Sequence, residues 1–142
     1  MKKIMYLMLL VAVGISAVSC CSACRARKPM QVSGTKWGLI EMNGAVVDRQ
    51  NGMSPDRLTL TLGEDGRVAG MGDCNRYFGP YTLNNGKIDI SSIGSTRMMC
   101  PNQQLETEFF RMLENAASCK IDGDFLILSD GENRIIGSFK KL

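Results

Sequence analysis

The sequence predicts an α+β fold in which one amphipathic helix packs on a curved, barrel-like antiparallel sheet of about seven or eight strands. Three observations support this fold class. Apolar and polar residues alternate in short segments after residue 34, glycine-containing turns separate these segments, and a single segment has apolar residues at helical spacing. Many short strands joined by tight turns form antiparallel sheets, and one helix can then cover the apolar face.

The strands follow from period-two alternation. Leu58, Leu60 and Leu62 alternate with threonines, and Asn43-Gly44 is a strong hairpin signal. Asn, Asp and Gly at the later turns supply the positive φ angles that tight turns need. These patterns identify the segments from which the seven or eight strands are expected, within residues 35–42, 45–47, 58–62, 67–72, 77–83, 87–90, 119–121, 125–128 and 134–139.

The helix is predicted at about residues 102–118. Its apolar residues fall on a single stripe, and Pro101 and Asn102 precede it as a start signal with an asparagine cap. Such a stripe is typical of a core-facing helix. Its members are Leu105, Phe109, Met112, Leu113 and Ala116.

The first residues have the organisation of a secretory leader. Two lysines precede an apolar run over residues 4–18, which ends in Ala-Val-Ser before Cys20. This ending resembles a bacterial lipobox, so we expect a lipoprotein signal peptide over 1–19 and lipid attachment at Cys20. Residues 20–33 then form a flexible tether, and 34–142 form the folded domain. An uncleaved membrane anchor is the alternative.

Charge and composition exclude several classes of function. From residue 34 onward, 12 Lys and Arg stand against 14 Asp and Glu, a net charge of −2. This domain therefore lacks the basic surface that nucleic-acid binding requires. The chain has no histidine, which excludes Ser-His-Asp and Cys-His catalysis and the usual catalytic zinc sites. We expect no catalytic residue, no metal and no cofactor.

Two segments carry a family resemblance: GMGDCNRYFG at 70–79 and STRMMCP at 95–101. With an early Trp, they resemble the META domain of HslJ-like bacterial lipoproteins, over about residues 34–139. Asp73 departs from the family glycine, and Asp tolerates a positive φ there. Cys119 stands where an apolar or aromatic residue is expected. The family-motif positions, interpreted as structural, are Trp37, Gly70, Cys74, Asn75, Gly79, Thr96, Met98 and Cys100.

Each residue of the 72–81 segment has a structural interpretation. Its glycines indicate a bulge or a close backbone approach, and Asn75 can stabilise a bend. We expect a solvated Arg76 and aromatic residues in the core or at its rim. The rival interpretation is a reactive thiol at Cys74 or Cys100.

A disulfide between Cys74 and Cys100 is the favoured state of these cysteines in an oxidising envelope. Closing a loop of about 26 residues would add about 3.5 kcal/mol in the chain-entropy model. A Cys100–Cys119 bridge is the second pairing. Otherwise Cys119 is a small buried hydrophobe on a strand.

The resemblance implies a non-catalytic envelope lipoprotein, associated with heat induction and antibiotic tolerance. We expect a monomer that is anchored through its lipid to the outer membrane, facing the periplasm. Its ligand would be an envelope protein, a peptide or a small lipophilic compound. The alternatives are a thiol-dependent redox protein and a hydrolase inhibitor.

Overall fold

A computed structural model describes residues 32–47, 54–99, 101 and 103–142. The predicted leader, the lipobox cysteine Cys20, most of the tether, Cys100 and Asn102 lie outside the described residues. In the described part of the chain, no helix has both the length and the apolar character needed to cross a membrane.

The described residues form ten strands and one helix, most of them at the positions that the alternation predicts. In chain order they are β1 Lys36–Met42, β2 Ala45–Val46, β3 Thr59–Leu62, β4 Arg67–Gly72, β5 Asn75–Asn84, β6 Lys87–Ile90, β7 Gly94–Ser95, α1 Gln103–Glu114, β8 Ser118–Asp122, β9 Phe125–Ser129 and β10 Ile135–Lys141.

Eight of these strands close into an antiparallel barrel. The hydrogen-bonded order is β1-β3-β4-β5-β6-β8-β9-β10, and β10 pairs with β1 to complete the ring. The seam between β6 and β8 is the narrowest, with one ladder pair at Lys87 and Ser118. Short β2 extends the hairpin from β1, and short β7 pairs with β5. The predicted α+β fold with a barrel-like antiparallel sheet is confirmed.

Two of the predicted Asn-Gly turns make tight hairpins. Asn43 and Gly44 have φ angles of 50° and 79°, and Asn85 and Gly86 have 50° and 82°. These positive values match the two-residue loops that the right-handed twist of paired strands favours. The turns therefore determine the register of β1 with β2 and of β5 with β6.

Helix α1 packs its apolar stripe into the barrel. Phe109 and Leu113 are fully buried, and the Phe109 ring lies edge-on to Tyr77, with the ring centroids 5.7 Å apart. On its other side the Phe109 ring is 6.4 Å from that of Phe139 on β10. The apolar stripe of the helix thus contacts strands on opposite sides of the sheet, while its polar face stays exposed.

The predicted end of this helix is wrong. It ends at Glu114 and not near residue 118, because Ala117 has already joined the sheet. The Ala117 amide donates to the Ser129 carbonyl at 2.8 Å, and its carbonyl accepts from the Ile88 amide at 3.1 Å. A residue bonded to strands on both sides cannot also continue a helical ladder.

The folded domain also begins before its predicted boundary at residue 34. Val32 is completely buried in the core, and Ser33 forms a parallel bridge with Leu62. Two residues assigned to the tether therefore belong to the domain. Strand β5 likewise begins at Asn75, two residues earlier than the alternation predicts.

Candidate functional site

The CNRYFG segment begins at the tight turn between β4 and β5. Asp73 in this turn has a φ of 67°, which agrees with the positive φ that its place in the motif suggests. Its carboxylate is almost fully buried, with 3% of the side chain exposed, and pairs with the Arg57 guanidinium at 2.5 Å. The Asp73 amide also donates to the Arg57 carbonyl at 3.1 Å. The turn is therefore fastened to the segment that precedes β3.

The buried carboxylate of Glu106, in the first turn of α1, connects the helix to the motif. One oxygen accepts the backbone amide of Asn75 at 2.8 Å and that of Cys74 at 3.3 Å, while the other accepts the Asn75 Nδ2 at 2.7 Å. Three N–H donors and the positive end of the helix dipole compensate the negative charge. This side chain is 7% exposed.

The Asn75 side chain extends the connection to the segment after β7. Its Oδ1 accepts the Met98 amide at 2.8 Å and the Thr96 hydroxyl at 3.1 Å. Its Nδ2, besides the bond to Glu106, donates to the Met98 carbonyl at 3.3 Å. We call Glu106, Asn75, Thr96 and Met98 the clamp, since Asn75 joins helix, strand and loop at one point.

The cysteines are in different states. Cys74 is disulfide-bonded, and the other half of that bond lies outside the described residues. Cys119 is free and 5% exposed, so the predicted second pairing, Cys100–Cys119, is wrong. Burial raises the pKa of the Cys119 thiol to about 11. The alternative interpretation of Cys119 as a buried hydrophobe is confirmed.

The other motif residues described here have packing contacts. Trp37 is 2% exposed, and its Nε1 has no hydrogen-bond partner among the described residues. A Cβ on Gly70 would collide with the Thr59 carbonyl, which also accepts the Tyr77 hydroxyl at 2.7 Å. A Cβ on Gly79 would lie 3.2 Å from the Ser91 carbonyl. These glycines permit close backbone approach.

Strand β5 carries both exposed and buried side chains. Arg76 is exposed, as expected. Tyr77 is in the core, and burial raises the pKa of its hydroxyl well above the ordinary value. Tyr81 is half-buried, and its hydroxyl donates to the Gly63 carbonyl at 2.6 Å. Phe78, expected in the core or at its rim, is 58% exposed.

Two adjoining grooves, of about 110 and 480 Å³, lie at the C-terminal end of α1. They share Asn43, Asn115 and Ile136, and the larger one also contacts the loop from Asp130 to Arg134. Hydrogen bonds from the Arg134 backbone, then from its side chain and the Glu132 backbone, lower the pKa of Asp130. No motif residue lines either groove.

Sequence reasoning missed Glu106 as a clamp residue. The sequence patterns assign it no role in the motif, but it precedes Phe109 by three positions and Leu113 by seven. That spacing places it on the buried face of α1, and a carboxylate on an apolar stripe is the signal that could have identified it. Within the described ranges, no three His, Cys, Asp or Glu side chains converge to hold a metal.

The described residues thus form a closed antiparallel barrel with one amphipathic helix packed on it, and polar motif residues bond to each other where helix, strand and loop meet. The sequence model of the META domain family matches residues 30–141, and the chain belongs to that family. The family resemblance noted in the sequence is thereby confirmed.

Similar proteins agree with this assignment. Heat shock protein HslJ of Escherichia coli (strain K12) is 27% identical over 129 residues, covering 88% of this chain and 89% of that protein. An NMR structure of a protein from Burkholderia xenovorans matches 78% of this chain and 83% of its own, with 25% identity and a TM-score of 0.60. The crystal structure of a DUF4847 family protein from Bacteroides vulgatus, at 16% identity and a TM-score of 0.57, covers 78% of this chain and 94% of its own and shares the fold alone.

Proposed function

We propose that the protein is a non-catalytic lipoprotein of the bacterial cell envelope. In this proposal its META domain binds an envelope protein, a peptide or a small lipophilic ligand during heat or antibiotic stress. Family membership and a relative named as a heat shock protein support the stress association. The lipobox-like ending before Cys20 supports the lipid anchor.

The clamp is the observation that carries the non-catalytic assignment. A general base or nucleophile must have a free proton-accepting atom that faces the reacting group. Both oxygens of Glu106 instead accept bonds from Asn75 or Cys74, and both polar ends of the Asn75 amide are bonded. The motif therefore holds the segment after β7 in a fixed position. A fixed surface segment is better suited to binding a ligand than to catalysing a reaction.

The Cys74–Cys100 bridge forms part of the same proposal. Met98 is bonded to Asn75, the neighbour of Cys74, through both its amide and its carbonyl. Cys100 follows Met98 by two residues, a span of at most about 7 Å. Disulfides join Cα atoms about 4.4–6.8 Å apart, so the length of chain after Met98 is compatible with a bridge from Cys74 to Cys100. A bridged Cys74 does not suit the alternative in which its thiol performs redox chemistry.

The lipid anchor and the stress role are tested together in the host bacterium. A strain without the protein is complemented with the wild type, with Cys20→Ser, or with Cys21→Ser as the matched control. We expect the wild type and Cys21→Ser to be membrane-bound, with diacylglycerol on Cys20 by mass spectrometry. Both should restore survival of heat or antibiotic exposure, whereas Cys20→Ser should accumulate as precursor and fail to do so.

Two results would contradict the proposal. Lipid on a residue other than Cys20, or none at all, would remove the anchor. Equal survival of the deleted and wild-type strains would remove the stress role. Protease accessibility in intact and permeabilised cells then tests whether the domain faces the periplasm, and sedimentation of detergent-solubilised protein tests whether it is a monomer.

A further inference from the structure

Large apolar side chains project into solvent next to the clamp. Met99 is 95% exposed, Met98 56% and Phe78 58%. Phe78 on β5 pairs with Gly94 of β7, and the chain then runs antiparallel to β5 until Met98 bonds to Asn75. We call Phe78, Met98 and Met99, together with Arg76 and Arg97, the motif face.

The motif face is held in place by the clamp. Thr96 donates its amide to the Arg76 carbonyl at 3.0 Å, and its hydroxyl oxygen accepts the Arg76 amide at 3.1 Å. Met98 is bonded to Asn75 through its amide and its carbonyl. The methionines are therefore displayed on a backbone fixed by buried groups, and exposed apolar side chains on a fixed backbone are typical of a contact surface.

The charge on this side of the barrel is opposite to that of the domain. Strands β4 and β5 and residues 91–99 contain no Asp or Glu, while Arg67, Arg76 and Arg97 are exposed. The nearest acids along the chain are Asp65 and Asp73 in the flanking turns, of which Asp73 is paired with Arg57, and the exposed Asp89 on the neighbouring strand β6. A positive surface on a domain of net charge −2 favours a negatively charged contact surface.

With the lipid anchor proposed above, the length of chain before residue 32 would keep this face near a membrane. Residues 20–31 span at most about 40 Å from a lipid on Cys20, and they carry Arg25, Arg27 and Lys28 with no acid. The described chain begins beside β3, where Ser33 bridges to Leu62. Strand β5 lies two strands further, about 10 Å away.

We propose that the motif face docks on an anionic lipid surface. Phe78, Met98 and Met99 enter the interface between headgroups and acyl chains, and Arg76 and Arg97 contact lipid phosphates. The proposal rests on the lipid anchor proposed above, which keeps the domain at the bilayer and makes a weak surface contact sufficient.

Hydroxyl-radical footprinting tests this docking on the full chain reconstituted into vesicles. One set contains phosphatidylglycerol, and the other is phosphatidylcholine alone. We expect oxidation of Met98, Met99 and Phe78 to fall about fivefold or more on the anionic vesicles only. Val46 and Ile135, which are 70% and 55% exposed on other strands, should be oxidised equally on both.

Charge reversal and polar substitution separate docking from a general effect of the bilayer. Arg97→Glu should weaken the protection about fivefold, and Met99→Asp should abolish it. Lys120→Glu on β8 and Ile135→Asp on β10 are the matched controls, since both positions are exposed and their strands lie two and four places from β5 in the hydrogen-bonded order. The controls should leave the footprint of the motif face unchanged.

The outcomes separate this proposal from the proposed function. If the protein is lipid-anchored but the motif face is oxidised equally on both vesicle types, docking is overturned and the anchor stands. Protection that requires added envelope protein would identify a protein partner and overturn lipid docking. If the chain carries no lipid, cosedimentation with phosphatidylglycerol vesicles tests the docking directly. Absence of binding that weakens with added salt would then overturn the docking proposal.

Discussion

Glu106 and Asn75 act as one unit at the residue scale. A buried carboxylate is costly unless donors replace its lost hydration. Here two backbone amides and one side-chain amide do so. The same Asn75 side chain then bonds the loop at Met98, so the energetic consequence of losing the carboxylate extends beyond the helix.

The substitution Glu106→Gln tests this unit. Gln keeps the shape but replaces one acceptor oxygen with an NH₂ group that must face an N–H donor. We expect the free energy of unfolding to fall by about 2–4 kcal/mol, measured by urea denaturation followed by circular dichroism. Thr96→Val removes one hydroxyl at the edge of the clamp and should cost about 1 kcal/mol.

The matched control for that substitution is Glu108→Gln on the same helix. Glu108 is less buried and accepts an exposed bond from Gln104 at 3.0 Å. The expected change is below about 0.5 kcal/mol. Equal midpoints for Glu106→Gln and Glu108→Gln would mean that the clamp carboxylate contributes nothing to stability.

The cysteines give a second prediction at this scale. Alkylation of the unreduced protein at neutral pH, followed by peptide mapping, should leave Cys119 unmodified until denaturant is added, because its thiol is buried and protonated. Cys74 should be recovered in a peptide linked to Cys100. Rapid labelling of Cys74 without reductant, or a peptide that links it to another cysteine, would refute the proposed bridge.

At the element scale, the contact between β3 and β4 depends on the absence of a side chain at Gly70. A Cβ there would collide with the Thr59 carbonyl and lie 2.8 Å from the Tyr77 ring. Neither neighbour can withdraw easily, because one is backbone and the other is a buried ring. Gly70→Ala should therefore lower the free energy of unfolding by about 3 kcal/mol or more.

The control for Gly70→Ala is Gly131→Ala. No atom lies within 4 Å of a Cβ at Gly131, and its φ is not in the left-handed region. Thermal unfolding should therefore give nearly the same midpoint as the wild type. If Gly70→Ala also unfolds at the wild-type midpoint, β3 and β4 can move apart at no cost in stability. The close approach of Gly70 to Thr59 would then contribute nothing to the fold.

The sequence predicts the elements whose signals are local. Leu58 to Leu62 alternate, Asn43-Gly44 forms a hairpin turn, and Phe109 lies on an apolar stripe, so each pattern identifies its own strand, turn or helix. Element ends depend on distant partners. Helix α1 stops at Glu114 because Ala117 bonds to β6 and β9, and no residue near Glu114 reveals those partners.

The candidate site was predictable to a similar extent. The motif cysteine, asparagine and glycines were identified from their unusual grouping, and their structural interpretation follows from local chemistry. Glu106 was not identified as their partner, because it is 31 residues from Asn75. A carboxylate in a first helical turn has a sufficient local explanation in the dipole, so only the tertiary contact reveals its second role.

At the scale of the whole molecule, closure of the barrel explains where stability resides. Strands β1 and β10 pair over five positions, whereas β6 and β8 pair at one. Helix α1 contacts β6 near this narrow seam, and the Ile93 amide donates to Glu114 at 3.2 Å. The first and last long strands of the domain, β1 and β10, are thus joined by an extensive pairing. Helix α1 supports the pairing of β6 with β8, which is the shortest in the barrel.

The pH dependence of the unfolding free energy follows from two buried groups in this core. Burial raises the pKa of Cys119 from 9.0 to about 11 and raises the pKa of Tyr77 well above 10.0. As pH rises, the unfolded chain loses these protons before the folded chain does, so the folded state becomes less favoured. The Cys119 contribution is therefore constant below about pH 9 and is lost between about pH 9 and 11. The Tyr77 contribution is lost from about pH 10 upward.

The measurement is the unfolding free energy as a function of pH, from urea denaturation between pH 7 and 11, for the wild type and for Cys119→Ala or Tyr77→Phe. Subtracting the values of the variant from those of the wild type cancels the contribution of every other titrating group. The Cys119 difference should fall above pH 9 and the Tyr77 difference above pH 10. A difference that stays flat across the range would show that the group ionises equally in both states, and that the barrel interior admits water at that position.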